Sequence, residues 1–180
     1  GDEVLDDDAP PGTGFLADLA LRWEESTFAA ADALRARGVS LHMSAVLHPK
    51  EQVFPVMAQA FDLGLGGWLG SGEQFMCWWT IRDTVGAMLH LLDGDVAGGV
   101  NGTVPTATTH RAWSEACARA MGRKLRTHAP AWALRGAFGE YAESLFLASI
   151  RAEPRKLLDS GYVFRDPEAE GAFRWLVGGR

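Results

Sequence analysis

Val39-Ser40-Leu41-His42-Met43-Ser44-Ala45-Val46-Leu47 stands between Gly38 and Pro49, and how this stretch is read decides the fold class. It is short, mainly apolar and flanked by the two residue types that interrupt regular structure, so it predicts one buried strand. The segment before it has a different period. From Phe15 to Arg37 the apolar residues Leu16, Leu19, Ala20, Trp23, Phe28, Ala31 and Leu34 recur at mainly helical spacing, and Gly38 supplies a stop. A long helix or a broken pair feeding a buried strand is the unit from which α/β layers are built.

Further along the chain the same alternation continues. Val53 to Phe61 predicts a short helix, the glycine-rich Gly64 to Gly72 a connecting loop, and Gln74 to Trp79 a strand. Asp83 is placed to cap a helix running to Leu92, because an aspartate side chain accepts the free N–H groups of a first turn. Val100 to Val104 then predicts a strand and Thr109 to Met121 a helix. From Pro130 onward the pattern is helical: Ala131 to Phe138, Tyr141 to Ile150 and Glu168 to Leu176, with a single helical turn at Pro154 to Leu158. In the other direction, Gly1 to Gly14 is acidic and rich in proline and glycine, with Asp6-Asp7-Asp8 before Pro10-Pro11, and reads as a surface loop outside any core.

Composition narrows the functional classes. An apolar fraction of 47% with 22% charged residues describes a globular chain of 180 residues, long enough to bury a substantial core. The net charge of -6 and the scattered Lys and Arg argue against a nucleic-acid partner, since phosphate binding relies on clustered basic residues. No apolar run approaches the ~20 residues of a membrane helix. Cys77 and Cys117 have no CxxC mate, and His42, His48, His90, His110 and His128 are too dispersed for a helical ligand pair, so neither a disulfide framework nor a metal site is expected. Reduced thiols suit a reducing cytoplasm, the expected location.

Gly12-Thr13-Gly14-Phe15-Leu16-Ala17 satisfies the G-x-G-x-x-A pattern at a helix start. Dinucleotide loops work because a buried strand delivers the glycines beneath the pyrophosphate and the helix N-terminus meets its charge. Here acidic and proline-rich residues precede the glycines, so the match is a decoy. Gly70-Ser71-Gly72 is flanked by Leu69 and Glu73, which excludes a nucleophile elbow. Trp78-Trp79 could stack on a ligand ring, but paired aromatics on a strand belong more often to a core.

Three stretches taken together carry a family resemblance. His42 to Pro49 is similar to the Arg-x-x-x-Val-Tyr-Gly-Pro strand end of extended short-chain dehydrogenase/reductases. Gly70-Ser71-Gly72-Glu73-Gln74, continuing through Trp78-Trp79-Thr80-Ile81-Arg82-Asp83, resembles their Gly-x-Gly-x-Gln and Val-His-Val-x-Asp segment. The tail Glu153-Pro154-Arg155-Lys156-Leu157-Leu158-Asp159-Ser160-Gly161-Tyr162-Val163-Phe164-Arg165-Asp166-Pro167 is similar to the Pro-x-x-Leu-x-x-x-Gly-Phe-x-Phe-x-x-Pro ending of the atypical NAD-dependent epimerase/dehydratase branch, the cell-division-inhibitor-like proteins.

The resemblance implies the C-terminal part of a Rossmann-like parallel-sheet domain over residues 1–129, followed by a mainly helical substrate-side cap over 130–180. It implies that Leu47, His48 and Pro49 approach the nicotinamide end of NAD or NADP, and that Gln74, Met76 and Trp78 line the substrate side for an unidentified small molecule. The cofactor belongs to a full-length protein and none is expected for this chain alone, because the glycine-rich phosphate loop of such proteins lies in an N-terminal half. The chain opens at Gly1 and has no methionine before Met43, which fits a piece of something longer, completed by that half or by self-association.

Departures from the family pattern leave the chemistry undefined. Phe15 and Leu19 stand where a Tyr-x-x-x-Lys pair would be, so no catalytic residue is assigned. Phe75-Met76-Cys77 offers no arginine for a sugar-nucleotide diphosphate. His42 replaces the strand Arg, His48 a Gly, and Thr80 a His. An alternative from another class is a non-catalytic binding or regulatory module that kept the fold and lost the cofactor site.

Overall fold

The computed structural model describes residues 1–51 and 53–180. In chain order its elements are β1 (Val4–Leu5), α1 (Phe15–Ala33), β2 (Val39–Met43), β3 (Ala45–Leu47), α2 (Val53–Asp62), β4 (Gly67–Leu69), β5 (Phe75–Met76), β6 (Trp78–Thr80), α3 (Ile81–Asp93) and β7 (Gly98–Gly102). They continue with β8 (Thr108–Thr109), α4 (His110–Ala120), β9 (Thr127–Ala129), α5 (Ala131–Phe138), a π-helical turn at Glu143–Leu147, β10 (Arg151–Ala152), α6 (Arg155–Asp159) and α7 (Ala169–Gly178). The β2–β7, β3–β6, β4–β9 and β1–β10 pairings are parallel, and β5–β8 is antiparallel. The chain is an α/β protein of Rossmann-like type, as its residues predict.

The stretch predicted as one strand is two. Ser44 breaks it, because both its N–H and its hydroxyl donate to the Gly102 carbonyl, at 3.1 and 2.6 Å. Before the break the run pairs with β7, Val39 against Gly98 through Met43 against Gly102; after it, with β6, Ala45 against Trp78 through Leu47 against Thr80. The expectation of a buried strand holds only for its end: Leu47 is fully buried, while β2 is only half-buried and Met43 is exposed.

Other predicted boundaries shift for local reasons. The predicted Gln74–Trp79 strand is broken at Cys77, and β4 forms inside the glycine-rich loop, where it pairs with an unforeseen strand, β9. Gly67 can take that place because a Cβ would stand 2.1 Å from the Thr127 carbonyl oxygen. The predicted helix over Tyr141–Ile150 reduces to the π-helical turn, and Ile150 instead donates its N–H to the Phe75 carbonyl. The acidic N-terminal segment is not a free loop. Val4 and Leu5 pair with Arg151 and Ala152, and the Asp7 carboxylate accepts from the Asn101 N–H at 2.5 Å and from the Lys156 N–H, in the first turn of α6, at 2.7 Å.

One core cluster joins the middle of the chain to its C-terminal end, combining Leu47, Phe54, Phe61, Trp78, Trp79 and Val100 with Leu157, Phe173 and Leu176. Phe173 on α7 is its hub. Its ring lies 5.0 Å from Trp113 edge-on, 6.2 Å from Phe54 and 6.5 Å from Trp78. Aromatic pairs at such separations add to the burial of their large apolar surface.

Asp83 does not cap its own helix. Thr80 does, accepting the Asp83 N–H at 3.4 Å. The Asp83 carboxylate is fully buried and turned outward to the tail, where it accepts from the Arg165 N–H at 2.8 Å, the Asp166 N–H at 2.9 Å and the Tyr162 hydroxyl at 3.1 Å. Asp166 returns the contact, accepting from the Thr80 hydroxyl at 2.7 Å and from both sides of the Arg82 guanidinium. Gly86 lets Tyr162 in, since a Cβ there would sit 2.6 Å from the phenol oxygen. Burial, with the Asp83 charge beside it, pushes the Tyr162 hydroxyl well above its ordinary range and keeps it a hydrogen-bond donor.

The other end of the molecule behaves differently. The helix predicted from Phe15 is present as α1, but none of its residues is buried; Phe15 is 79% and Trp23 75% exposed. No helix among the described residues is long and apolar enough to cross a membrane.

Candidate functional site

Two regions concentrate polar groups at strand ends or edges. The first follows β3, where the nicotinamide end was expected. Leu47 faces the core at 0% exposure, opposite Thr80. His48 is half-buried, and its Nδ1 accepts the Lys50 N–H at 3.2 Å. Pro49 lies against the end of α7, near enough that a Cβ on Gly179 would be 3.0 Å from its ring. The strand exit is thus walled by the C-terminal helix, and Arg82, which holds Asp166, stacks 4.1 Å over Trp175 on the same helix.

The residues expected on the substrate side have different settings. Gln74 is nearly buried, and its amide nitrogen donates to the carbonyls of Leu69 and Phe146, both at 3.0 Å, while its oxygen accepts from the Ser71 hydroxyl at 3.3 Å. It therefore ties the glycine-rich turn to the π-helical turn. Met76 packs against the core from a half-buried position, and Trp78 is inside the core. The backbone carbonyl of Gln74 accepts the His110 N–H at 2.9 Å.

The second region is a cleft of about 890 Å³ beside β2, between α1 and the chain around Cys77 and Ile150. Every residue from Val39 to Ser44 lines it. Side chains of a strand alternate between faces, so an unbroken run of lining residues means that the strand presents its edge. Among the described residues β2 pairs with β7 alone, so that edge carries unpaired N–H and C=O groups. None of Leu47, His48, Pro49, Gln74, Met76 or Trp78 is among the lining residues.

The cleft carries the groups that reading along the sequence missed. His42 Nε2 lies 3.1 Å from Glu24 Oε1 on α1. Cys77 donates its thiol to the Ile150 carbonyl at 3.2 Å, and burial pushes the thiol up, so it is a neutral donor rather than a thiolate nucleophile. His42 was singled out only as a departure from a pattern, and Glu24 was assigned no chemistry, its place being with Trp23 in the stretch of the first helix that resembles the family. Phe15 and Leu19 on α1 supply neither a proton donor nor a cation, so the helix does not hold a Tyr-Lys pair. Among the described residues no cluster of three or more His, Cys, Asp or Glu side chains could hold a metal ion.

Among the described residues, the glycine turn that matches the dinucleotide pattern does not fit a dinucleotide diphosphate. The glycine turn Gly12 to Gly14 opens α1, but β1 ends at Leu5 and the acidic, proline-rich stretch intervenes, so no strand delivers the glycines. Asp18 in the first turn of α1 adds negative charge where a phosphate would sit.

A family model described as a domain of unknown function (DUF1731) matches residues 129–176. The epimerase family protein MT2273 of Mycobacterium tuberculosis (strain CDC 1551 / Oshkosh) is 37% identical over 164 residues, which cover 91% of this chain and 54% of that protein. The human epimerase family protein SDR39U1 is 30% identical over 174 residues, covering 96% of this chain and 59% of that protein. A crystal structure of human SDR39U1 (isoform 2) with NADPH superposes with a TM-score of 0.88 at 31% identity, over 98% of this chain and 60% of that one. The UDP-glucose 4-epimerase of Thermus thermophilus, in complex with NAD, shares the fold with a TM-score of 0.73 at 18% identity, over 98% of this chain and 57% of that one. The chain spans little more than half the length of the curated relatives it matches.

Proposed function

This chain belongs to the epimerase-like family of extended short-chain dehydrogenase/reductases, and on that premise we propose that it is the substrate-side portion of an NAD(P)-dependent epimerase or oxidoreductase acting on a small molecule. In this reading the cofactor is held by a separate stretch of polypeptide, which adds a parallel strand along the free edge of β2 and covers the apolar face of α1. Residues 130–180 form the family-specific cap, and Leu47, His48 and Pro49 lie toward the nicotinamide. When bound, the dinucleotide supplies the hydride chemistry. The chain's own part is to close the substrate side: Gln74 fixes the glycine-rich turn against the cap, and the Asp83–Asp166 clamp holds the tail over the end of β3.

The observation that carries this reading is the edge of β2 lying open in the cleft beside a helix that buries none of its residues. A parallel strand that is half-exposed with one edge free is unusual, because such sheets are normally covered on both faces. The likeness to a protein crystallised with NADPH, over only 60% of that chain, supports the same division.

The test is a calorimetric titration with NADPH of two samples, the chain alone and a chimera carrying the N-terminal remainder of the Mycobacterium relative before Gly1. The chimera is expected to bind saturably and the chain alone not to bind. Saturable, stoichiometric binding by the chain alone would overturn the reading.

A further inference from the structure

The hydrogen bonds at the two ends of β2 show which of its backbone groups are free. Along a strand the N–H and C=O of one residue point to the same side, and that side alternates from residue to residue. The Gly38 carbonyl accepts the Gly98 N–H at 3.0 Å, and the Ser44 N–H donates to the Gly102 carbonyl at 3.1 Å, so Ser40 and His42 between them also address β7. Val39, Leu41 and Met43 therefore turn their N–H and C=O groups into the cleft, where among the described residues no strand pairs with them. Such a row is a template for one more strand.

The walls of the cleft limit the chemistry of that strand. Ala20, Trp23 and Thr27, spaced three and four residues apart on α1, line one side, and Ile150 and Ala152 line the other. Among the described residues neither lysine nor arginine lines the cleft, and its one carboxylate, Glu24, lies 3.1 Å from His42 Nε2. Cys77 is held neutral by burial. A phosphate or other charged ligand thus finds no free counter-charge there, and enclosing a charge without a partner is costly. The His42 side chain reaches α1, so those of Val39 and Leu41 point to the opposite face, where they pack against the core.

We propose that the cleft is the seat of a single uncharged, aliphatic strand, as long as the five residues of β2, parallel to it and bonded to the backbone groups of Val39, Leu41 and Met43. Its side chains alternate between the α1 wall and the face that carries Val39 and Leu41, so the strand is a continuous apolar run rather than an alternating one. It belongs to the separate stretch of polypeptide in the proposed function, on which this assignment rests. The match covers 54% and 59% of the Mycobacterium and human relatives, so each has further polypeptide enough to supply it.

Amide exchange resolved residue by residue tests the register, in the dilute chain alone and in the chimera that carries the N-terminal remainder of the Mycobacterium relative. In the chain alone the amides of Leu41 and Met43 are expected to exchange at least about tenfold faster than those of Ser40 and His42, which the ladder protects. In the chimera Leu41 and Met43 should gain at least about tenfold in protection, so that the alternation disappears. Ala20→Asp, at a position exposed in the chain alone, should leave the alternation there intact and abolish the gain in the chimera. The assignment is overturned by an absence of alternation in the chain alone, by a chimera in which Leu41 and Met43 stay unprotected, or by an undiminished gain in the Ala20→Asp chimera. Protection of the chimera that is lost on dilution would give the groove to a second copy and overturn it as well. NADPH binding is read separately. A chimera that binds NADPH with Leu41 and Met43 unprotected refutes the strand and leaves the proposed function standing; one that protects them without binding NADPH does the reverse.

Discussion

The two ends of the molecule meet the same sheet in opposite ways. At the C-terminal end, Phe173, Leu157 and Leu176 are fully buried, and a buried aspartate on α3 receives two backbone N–H groups and a phenol from the tail. At the N-terminal end α1 buries none of its residues, and its side-chain hydrogen bond to β2 among the described residues is one partly exposed pair, His42 and Glu24. Apolar periodicity says which face of an element wants cover, while cover itself depends on what lies opposite. The tail finds α4 and the core; α1 finds an open cleft.

If that contrast is right, damage at the tail should be severe and damage at α1 slight. The largest effect is expected for Asp83→Ala, which strands the N–H groups of Arg165 and Asp166 and the Tyr162 hydroxyl, and leaves Asp166 with Arg82. A loss of about 4 kcal/mol is expected from breaking a buried charged network, measured as a shift in the urea midpoint. An unchanged midpoint would mean that the tail is held by its apolar contacts alone. Phe173→Ala removes the ring between Trp113, Phe54 and Trp78 and should cost about 3–4 kcal/mol by the same measurement, transfer and cavity combined.

A smaller effect comes from His110, which lies at the start of α4 in the tail-packed half. Its Nδ1 accepts from the Leu69 N–H at 3.3 Å and lies 3.2 Å from the Ser114 hydroxyl, an arrangement for a neutral ring, and burial holds its pKa down at about 4. Above the ordinary histidine value near 6.5 both folded and unfolded chains hold it neutral, so it contributes no pH dependence. As pH falls below that value the unfolded chain takes up a proton that the folded chain refuses, and stability declines until about pH 4. The full loss is on the order of 3 kcal/mol. Urea midpoints between pH 7 and pH 4 should show this slope in the wild-type chain and less of it in His110→Gln. Equal slopes would place the proton elsewhere. The smallest effect is expected at α1, where Phe15→Ser should shift the midpoint by under about 0.5 kcal/mol, as surface changes do. A loss of about 2 kcal/mol or more, the range of buried sites, would show that this helix is packed after all.

These differences also mark what the sequence could disclose. The Val39–Leu47 run was legible as β-structure from its apolar content and its Gly38 and Pro49 borders. Its break was not, because Ser44 turns on the carbonyl of Gly102, which belongs to another strand. Asp83 looked like a cap because local spacing allows it, and its true partners arrive from residues 162–166. The three-residue β4 left no period to detect, and it exists only because β9 lies alongside. The family resemblance was carried by His42 to Pro49, by the Gly70–Asp83 segment and by the tail, each of which supplies residues to the core: Leu47, Trp78, Trp79 and Leu157. Leu47, Gln74 and Trp78 were singled out from the sequence, but their settings could not be read from it, since burial and hydrogen bonding depend on chain far away. The cleft escaped because its signature is a strand edge, which no side-chain pattern encodes.

In the proposed reading the free edge of β2 and the bare face of α1 are the interface for another strand. Unpaired edges and exposed apolar faces template association, so sedimentation equilibrium over a dilution series is the most direct test. The weight-average mass of the chain is expected to rise with concentration, and to rise less for a Phe15→Ser, Trp23→Ser double variant. A chain that stays monomeric at every concentration, with the same cooperative unfolding, would contradict it.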